Sequence, residues 1–155
     1  MAQPALAQEP HQQDIDANIT EQLKNIKRVK IFFTDLNGRL KNLDVNPNNI
    51  LDIISNGVGI DGSSIPGLAT VDNSDRIMFP VVESLRILEF SNRKVGFFVG
   101  KVYNQSGERS ECDPRAVLEA VLEKAEKKHG VRFMVGPEHE FFLLKGDEFN
   151  DDIHT

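Results

Sequence analysis

Glu138 and Glu140, in the stretch Val135-Gly136-Pro137-Glu138-His139-Glu140-Phe141-Phe142, are the residues of this chain best spaced for metal chemistry. Read as a strand, the stretch turns alternate side chains to opposite faces and puts both carboxylates on one face, about 7 Å apart. Carboxylates so close repel, and a sheet tolerates them where solvent or a cation neutralises them. Val131, Phe133 and Val135 precede the pair and Phe141 to Leu144 follow it, which predicts a largely buried strand. Burial favours the cation, and hard divalent ions such as Mg2+ or Mn2+ take oxygen ligands of this kind. An exposed edge strand with two solvated acids fits the same spacing. His139 points to the opposite face from the two glutamates and is read as structural or solvated.

A second candidate is Asp61-Gly62-Ser63-Ser64-Ile65. It lies in Gly57 to Ser74, a segment with four glycines, Pro66 and no lasting hydrophobic period. That pattern predicts a long loop, and long loops within compact domains are often functional. By residue type alone Asp-Gly-Ser-Ser is a plain turn. Cys112, the single cysteine, reads as a passive small residue, since nothing near it in sequence would activate a thiolate.

The elements that must position these residues follow from periodicity. Met1 to about Thr20 is rich in Ala, Gln and Pro and predicts a mobile tail, with order beginning near Lys24. Val29 to Asp35 has strand composition, Asn37-Gly38 signals a type I′ hairpin turn, and Arg39 to Val45 returns. Asn46-Pro47 opens a helix whose apolar side is Ile50, Leu51, Ile53 and Ile54, and Asn56-Gly57 ends it. After the loop, strands are predicted at Arg76 to Val82, Leu85 to Phe90 and Val95 to Tyr103, with turns at Asn92-Arg93 and Gln105 to Glu108. Asp113 as N-cap, Pro114 at the first helical position and Val117, Leu118, Val121, Leu122 and Ala125 at helical spacing predict a helix closed by His129 and Gly130. The strand to Leu144 comes next, apolar on both faces and short of partners, which makes the chain look truncated.

Composition bounds the function. The 155 residues are 39% hydrophobic and 27% charged, which is globular. A net charge of -6 and scattered basic residues exclude general attraction for nucleic acid or an anionic membrane. No apolar run is long enough to span a bilayer. The Ala-x-Ala spacing of the leader lacks the basic and apolar regions of a signal peptide. With one cysteine, these features make a reducing, cytoplasmic setting the expectation.

Taken in order, the motifs resemble the glutamine synthetase family. Gly136-Pro137-Glu138-His139-Glu140-Phe141-Phe142 is similar to that family's Gly-Pro-Glu-x-Glu-Phe-Phe strand, and Asp61-Gly62-Ser63-Ser64-Ile65 to its Asp-Gly-Ser-Ser-Ile loop. Ser74-Asp75 with Pro80, the hairpin Phe33-Thr34-Asp35-Leu36-Asn37-Gly38 and the helix start Cys112-Asp113-Pro114-Arg115 follow the family's order, so the match runs from about Val29 to Leu144. The resemblance implies an α+β fold: a ubiquitin-like β-grasp domain over 24–110, after a disordered leader over 1–23. The first helix and strand of an incomplete α/β catalytic domain would follow over 111–155.

The resemblance also implies the chemistry: glutamate and ammonia joined at the expense of ATP through a γ-glutamyl phosphate, in a ring whose subunits share sites. Glu138 would bind the metal that bridges the ATP phosphates, and Glu140 the metal beside glutamate and ammonia. Asp61 would bind ammonium and promote its deprotonation, with Ser64 supporting the loop. Two carboxylates cannot complete two metal sites, so this chain alone is expected to be inactive. Two other readings are a non-catalytic short homologue used for subunit contact, and part of a γ-glutamyl ligase for an amine or polyamine. Asp61 would crowd a larger nucleophile and so argues for ammonia. The chain departs from the family at Val81, where aspartate is common, at His139, often proline, and at Leu68, usually aromatic.

Overall fold

The computed structural model describes residues 12–90 and 93–143. Its first element corrects an expectation. Helix α1 (Gln12–Gln22) occupies much of the predicted mobile tail, the rest of which lies outside the described residues. Ile15, Ile19, Leu23 and Ile26 recur at intervals of four, four and three, so a sparse apolar stripe faces inward although the average composition is polar. Ile19, Leu23 and Ile26 are buried, and each contributes about 1.5–3 kcal/mol by leaving water. Asn25, at φ 67°, turns the chain out of the helix toward the sheet.

Five strands follow: β1 (Val29–Thr34), β2 (Leu40–Val45), β3 (Val58–Asp61), β4 (Asp75–Phe90) and β5 (Arg93–Asn104). Their order across the sheet is β2-β1-β5-β4-β3. The central β1–β5 pair is parallel and the others are antiparallel, which is the expected β-grasp layout. Helix α2 (Ile50–Asn56), entered through a 3-10 turn at Pro47–Asn49, packs on the same face as α1. Alternation along β1 turns Val29, Ile31 and Phe33 to that face. With Phe98, Met78, Ile50 and Ile53 they form two adjoining core clusters. Gly96 lets Leu23, just past the end of α1, pack close on β5: a Cβ there would lie 2.7 Å from Leu23 Cδ2.

Three local expectations change. The 35–39 connection is not a type I′ turn: Gly38 has φ 75°, whereas Asn37 is not among the positive-φ residues, and the last strand pair is Thr34 with Leu40. The buried Asp35 carboxylate organises this five-residue loop instead, Oδ1 accepting from the Asn37 and Arg39 amides at 3.0 and 2.9 Å. The loop expected from Gly57 begins with a strand, β3, because Val58 and Ile60 pack into the second cluster. The two strands expected at 76–82 and 85–90 are one, interrupted by a register shift between Val81 and Arg86. There Ser84 Oγ accepts from the Val99 amide, standing in for a ladder carbonyl. The expected turn at Asn92-Arg93 falls partly outside the described residues.

Helix α3 (Pro114–His129) forms as predicted, with Asp113 Oδ1 accepting from the Arg115 amide and Gly130 closing it at φ 64°. Asp113 does more than cap. Its Oδ2 also accepts from the Val102 amide at 3.1 Å and from Arg109 Nη1 at 2.7 Å, fastening the helix start to β5. Beyond that anchor Val117, Leu118, Val121 and Leu122 are exposed. The predicted buried strand from Val131 does not form: residues 130–143 have neither helix nor strand, and Phe133, Met134, Val135, Phe141 and Phe142 are exposed. A strand satisfies its amides and carbonyls only against a neighbour, and among the described residues none pairs with this one. Leu144 lies outside the described residues.

Candidate active-site carboxylates

Asp61 sits where β3 ends and a single 3-10 turn, Gly62–Ser64, begins. Its Oδ1 accepts from the Ser63 amide at 2.9 Å and the Ser63 hydroxyl at 2.7 Å, and its Oδ2 from the Ser64 hydroxyl at 2.6 Å. Three donors on one carboxylate favour its charged form. The Ser63 hydroxyl first, then the Ser64 hydroxyl and the Ser63 amide, hold the Asp61 carboxyl below its usual range against a small desolvation effect. The Ser-Ser pair after the aspartate therefore keeps an exposed carboxylate ionised and fixed in direction. Gly62 is required in this turn: a Cβ there would lie 2.8 Å from Ala69 Cβ and 2.9 Å from the Ser74 carbonyl oxygen.

Asp61 borders two shallow pockets. One, of about 560 Å3, is lined by Lys41 and Leu43 of β2 as well as by Gly59, Asp61, Ser64 and Ile65. Strands β2 and β3 are the two edges of the sheet, so the sheet curls enough for both to reach one pocket. The other, of about 420 Å3, includes Asp61, Asp75, Arg76 and Gln105. Sequence reasoning did not single out Asp75 as a site residue. The ladder register puts it directly opposite Asp61, where like charges disfavour pairing. The serines relieve one carboxylate, and Gln105 Nε2, donating to Asp75 Oδ2 at 2.7 Å, relieves the other. Only the register could reveal this pair, since Asp61 and Asp75 are far apart in sequence.

Glu138 and Glu140 are exposed on the segment without regular structure, and neither lines the pockets beside Asp61. Among the described residues no group of three or more His, Cys, Asp or Glu side chains converges as a metal site would require. As oxygen donors the two glutamates suit Mg2+ or Mn2+; as a set they are incomplete. His139 is exposed beside them and Cys112 is a free, half-buried thiol. Near the helix start, burial raises the Glu119 carboxyl, but the Lys101 hydrogen bond and the charges of Lys101 and Arg109 outweigh it and hold it below the usual range. Glu119 meets Lys101 at 3.2 Å and Arg109 at 3.0 Å, so that network ties α3 to β5. No helix of the described residues is long and apolar enough to cross a membrane.

Residues 25–105 match the family model for the glutamine synthetase beta-Grasp domain, and residues 111–155 that for the glutamine synthetase catalytic domain. The chain is 35% identical over 132 residues to a glutamine synthetase of Thermotoga maritima, a match covering 84% of this chain and 30% of the relative. It is 34% identical over 132 residues to a glutamine synthetase of Methanococcus maripaludis, covering 79% and 30%. The chain thus spans about 30% of the length of these relatives. A solved GmaS/ADP complex superposes with a TM-score of 0.64 at 28% identity, over 71% of this chain and 26% of that one. A Plasmodium falciparum glutamine synthetase superposes with a TM-score of 0.66 over 81% of this chain and 24% of that one; at 16% identity this likeness concerns the fold alone. Motifs, sheet topology and family matches agree, and the chain belongs to the glutamine synthetase family.

Proposed function

We propose that this chain supplies the N-terminal part of an ATP-dependent ligase that makes glutamine from glutamate and ammonia through a γ-glutamyl phosphate. The observation that carries this reading is the Asp61 turn, an exposed carboxylate held ionised by Ser63 and Ser64. An ionised, preoriented carboxylate attracts ammonium, and a lowered pKa makes it a better holder of the cation than a proton acceptor. Ser64 supports the turn rather than touching substrate. Glu138 and Glu140 would hold Mg2+ or Mn2+, which neutralises phosphate charge when bound. The ADP bound by the GmaS relative supports a nucleotide in the complete protein. Asp61 and Lys41 lie at an open surface, which suits a site completed by a neighbouring subunit of a ring.

On this reading the 155-residue chain forms no glutamine from ATP, glutamate and ammonium, because two carboxylates shared between two ions supply each with one of about six ligands. ATP-dependent glutamine formation by that chain would overturn the claim. In a full-length chain carrying these residues as its N-terminal part, Asp61→Asn raises the KM for ammonium about 10- to 100-fold, as expected for losing a hydrogen bond to a charged group. An unchanged KM would remove Asp61 from the ammonium site. The exposed apolar face of α3 favours a second reading, a subunit-contact module. Co-purification with a full-length synthetase, indifferent to Asp61→Asn, would select it.

A further inference from the structure

We propose that Arg76 is a positioning residue that sets the Asp61 turn from beneath. Arg76 is the second residue of β4, paired with Ile60 on β3 and Asn104 on β5, and it is 8% exposed. Its Nη1 donates to the Asp75 carbonyl at 2.7 Å and the Asn73 carbonyl at 3.0 Å, where the chain returns from the loop after Ser64. Its stem lies under the loop's beginning, because a Cβ added to Gly62 would come within 3.1 Å of Arg76 Cγ. Gly62 in turn donates its amide to the Ser74 carbonyl at 2.8 Å. One side chain therefore touches both ends of the 62–74 loop, head at the exit and stem at the entrance.

The arrangement is unfavourable for the fold taken alone. The guanidinium is held by backbone carbonyls rather than a carboxylate, and its buried Nε has no acceptor. Replacing Arg76 with an apolar side chain of similar size removes the cost of the unpaired Nε and loses the bonds to the two carbonyls, two effects of opposite sign on the fold. What the charge does provide is two fixed carbonyls at the loop exit, and through them a fixed seat for the turn that directs Asp61. The functional meaning of this assignment rests on the ammonium reading of Asp61; the geometry does not.

The test is Arg76→Met in the 155-residue chain, read by thermal melting, by Ser63 amide exchange and by carbon-13 titration of the Asp61 carboxyl. The expected result is a folded chain with a looser turn. Ser63 exchange becomes at least about fivefold faster, the loss of one ordinary hydrogen bond, and the Asp61 midpoint moves up toward the usual carboxylate range. Arg76→Lys recovers part of both. A folded Arg76→Met chain with unchanged Ser63 exchange and Asp61 titration overturns the assignment. Should Arg76→Met fail to fold, Arg76→Gln replaces it, and unfolding of both overturns the assignment by making Arg76 a general stability residue. The ammonium KM of Asp61→Asn bears on the reading of Asp61 alone and is independent of these readouts.

Discussion

The sheet region and the segment after it are built from equally apolar sequence but reach different states. In the sheet, Val29, Ile31, Phe98 and Met78 are fully or nearly fully buried under two helices. After Asp113, Val117, Leu118, Val121, Phe133 and Phe141 remain exposed. Helix α3 nevertheless forms, because a helix closes its hydrogen bonds within itself and Asp113 fastens its first turn. The stretch from Val131 does not become a strand, because a strand closes its bonds only with a partner. The two carboxylate sites divide along the same line: the Asp61 turn is built from its own neighbours, and the Glu138 and Glu140 pair is not.

The comparison breaks most sharply at the core. Phe98→Ala should cost about 3–5 kcal/mol in urea unfolding, since it empties the centre of the first cluster. A cost under 1 kcal/mol would mean that the sheet region is no better packed than α3. Asp113→Ala should cost about 1–3 kcal/mol, because it removes the cap and leaves the Val102 amide without its acceptor. Circular dichroism should show α3 melting ahead of the sheet, as an isolated helix of this length is marginal in water; simultaneous melting would argue that α3 is held by more than its first turn. Val121→Lys should change stability by less than about 0.5 kcal/mol, since the side chain already faces water. A large loss there would reveal a partner for that face in solution.

The smallest effect concerns pH. Donors on Asp61 lower its pKa, so their contribution is complete above the ordinary carboxylate range and is lost as pH falls through the lowered value. Ser64→Ala removes one donor, and carbon-13 titration should show the Asp61 midpoint rising. No rise would mean that Ser63 alone holds the carboxylate.

Much of this was legible from residue order. Asp113-Pro114 and Gly130 marked the ends of α3 because capping is local chemistry, and the hydrophobic alternation of β1 marked its inward face. Other features were hidden for physical reasons. Helix α1 carries its core contacts on a few residues in a polar background, so composition masked its period. The 35–39 loop took its shape from a buried carboxylate rather than from Asn-Gly backbone preference.

By itself, the order of residues determined where α3 begins and ends, that Val29, Ile31 and Phe33 share one face of β1, and that Asp61 is followed by hydroxyls able to hold it. These depend on interactions within a few residues. Tertiary structure alone decided that Asp75 stands opposite Asp61, that Arg76 lies beneath their turn, and that the run carrying Glu138 and Glu140 stays unpaired. Strand register and burial are set by partners distant in sequence, and no local pattern carries that information.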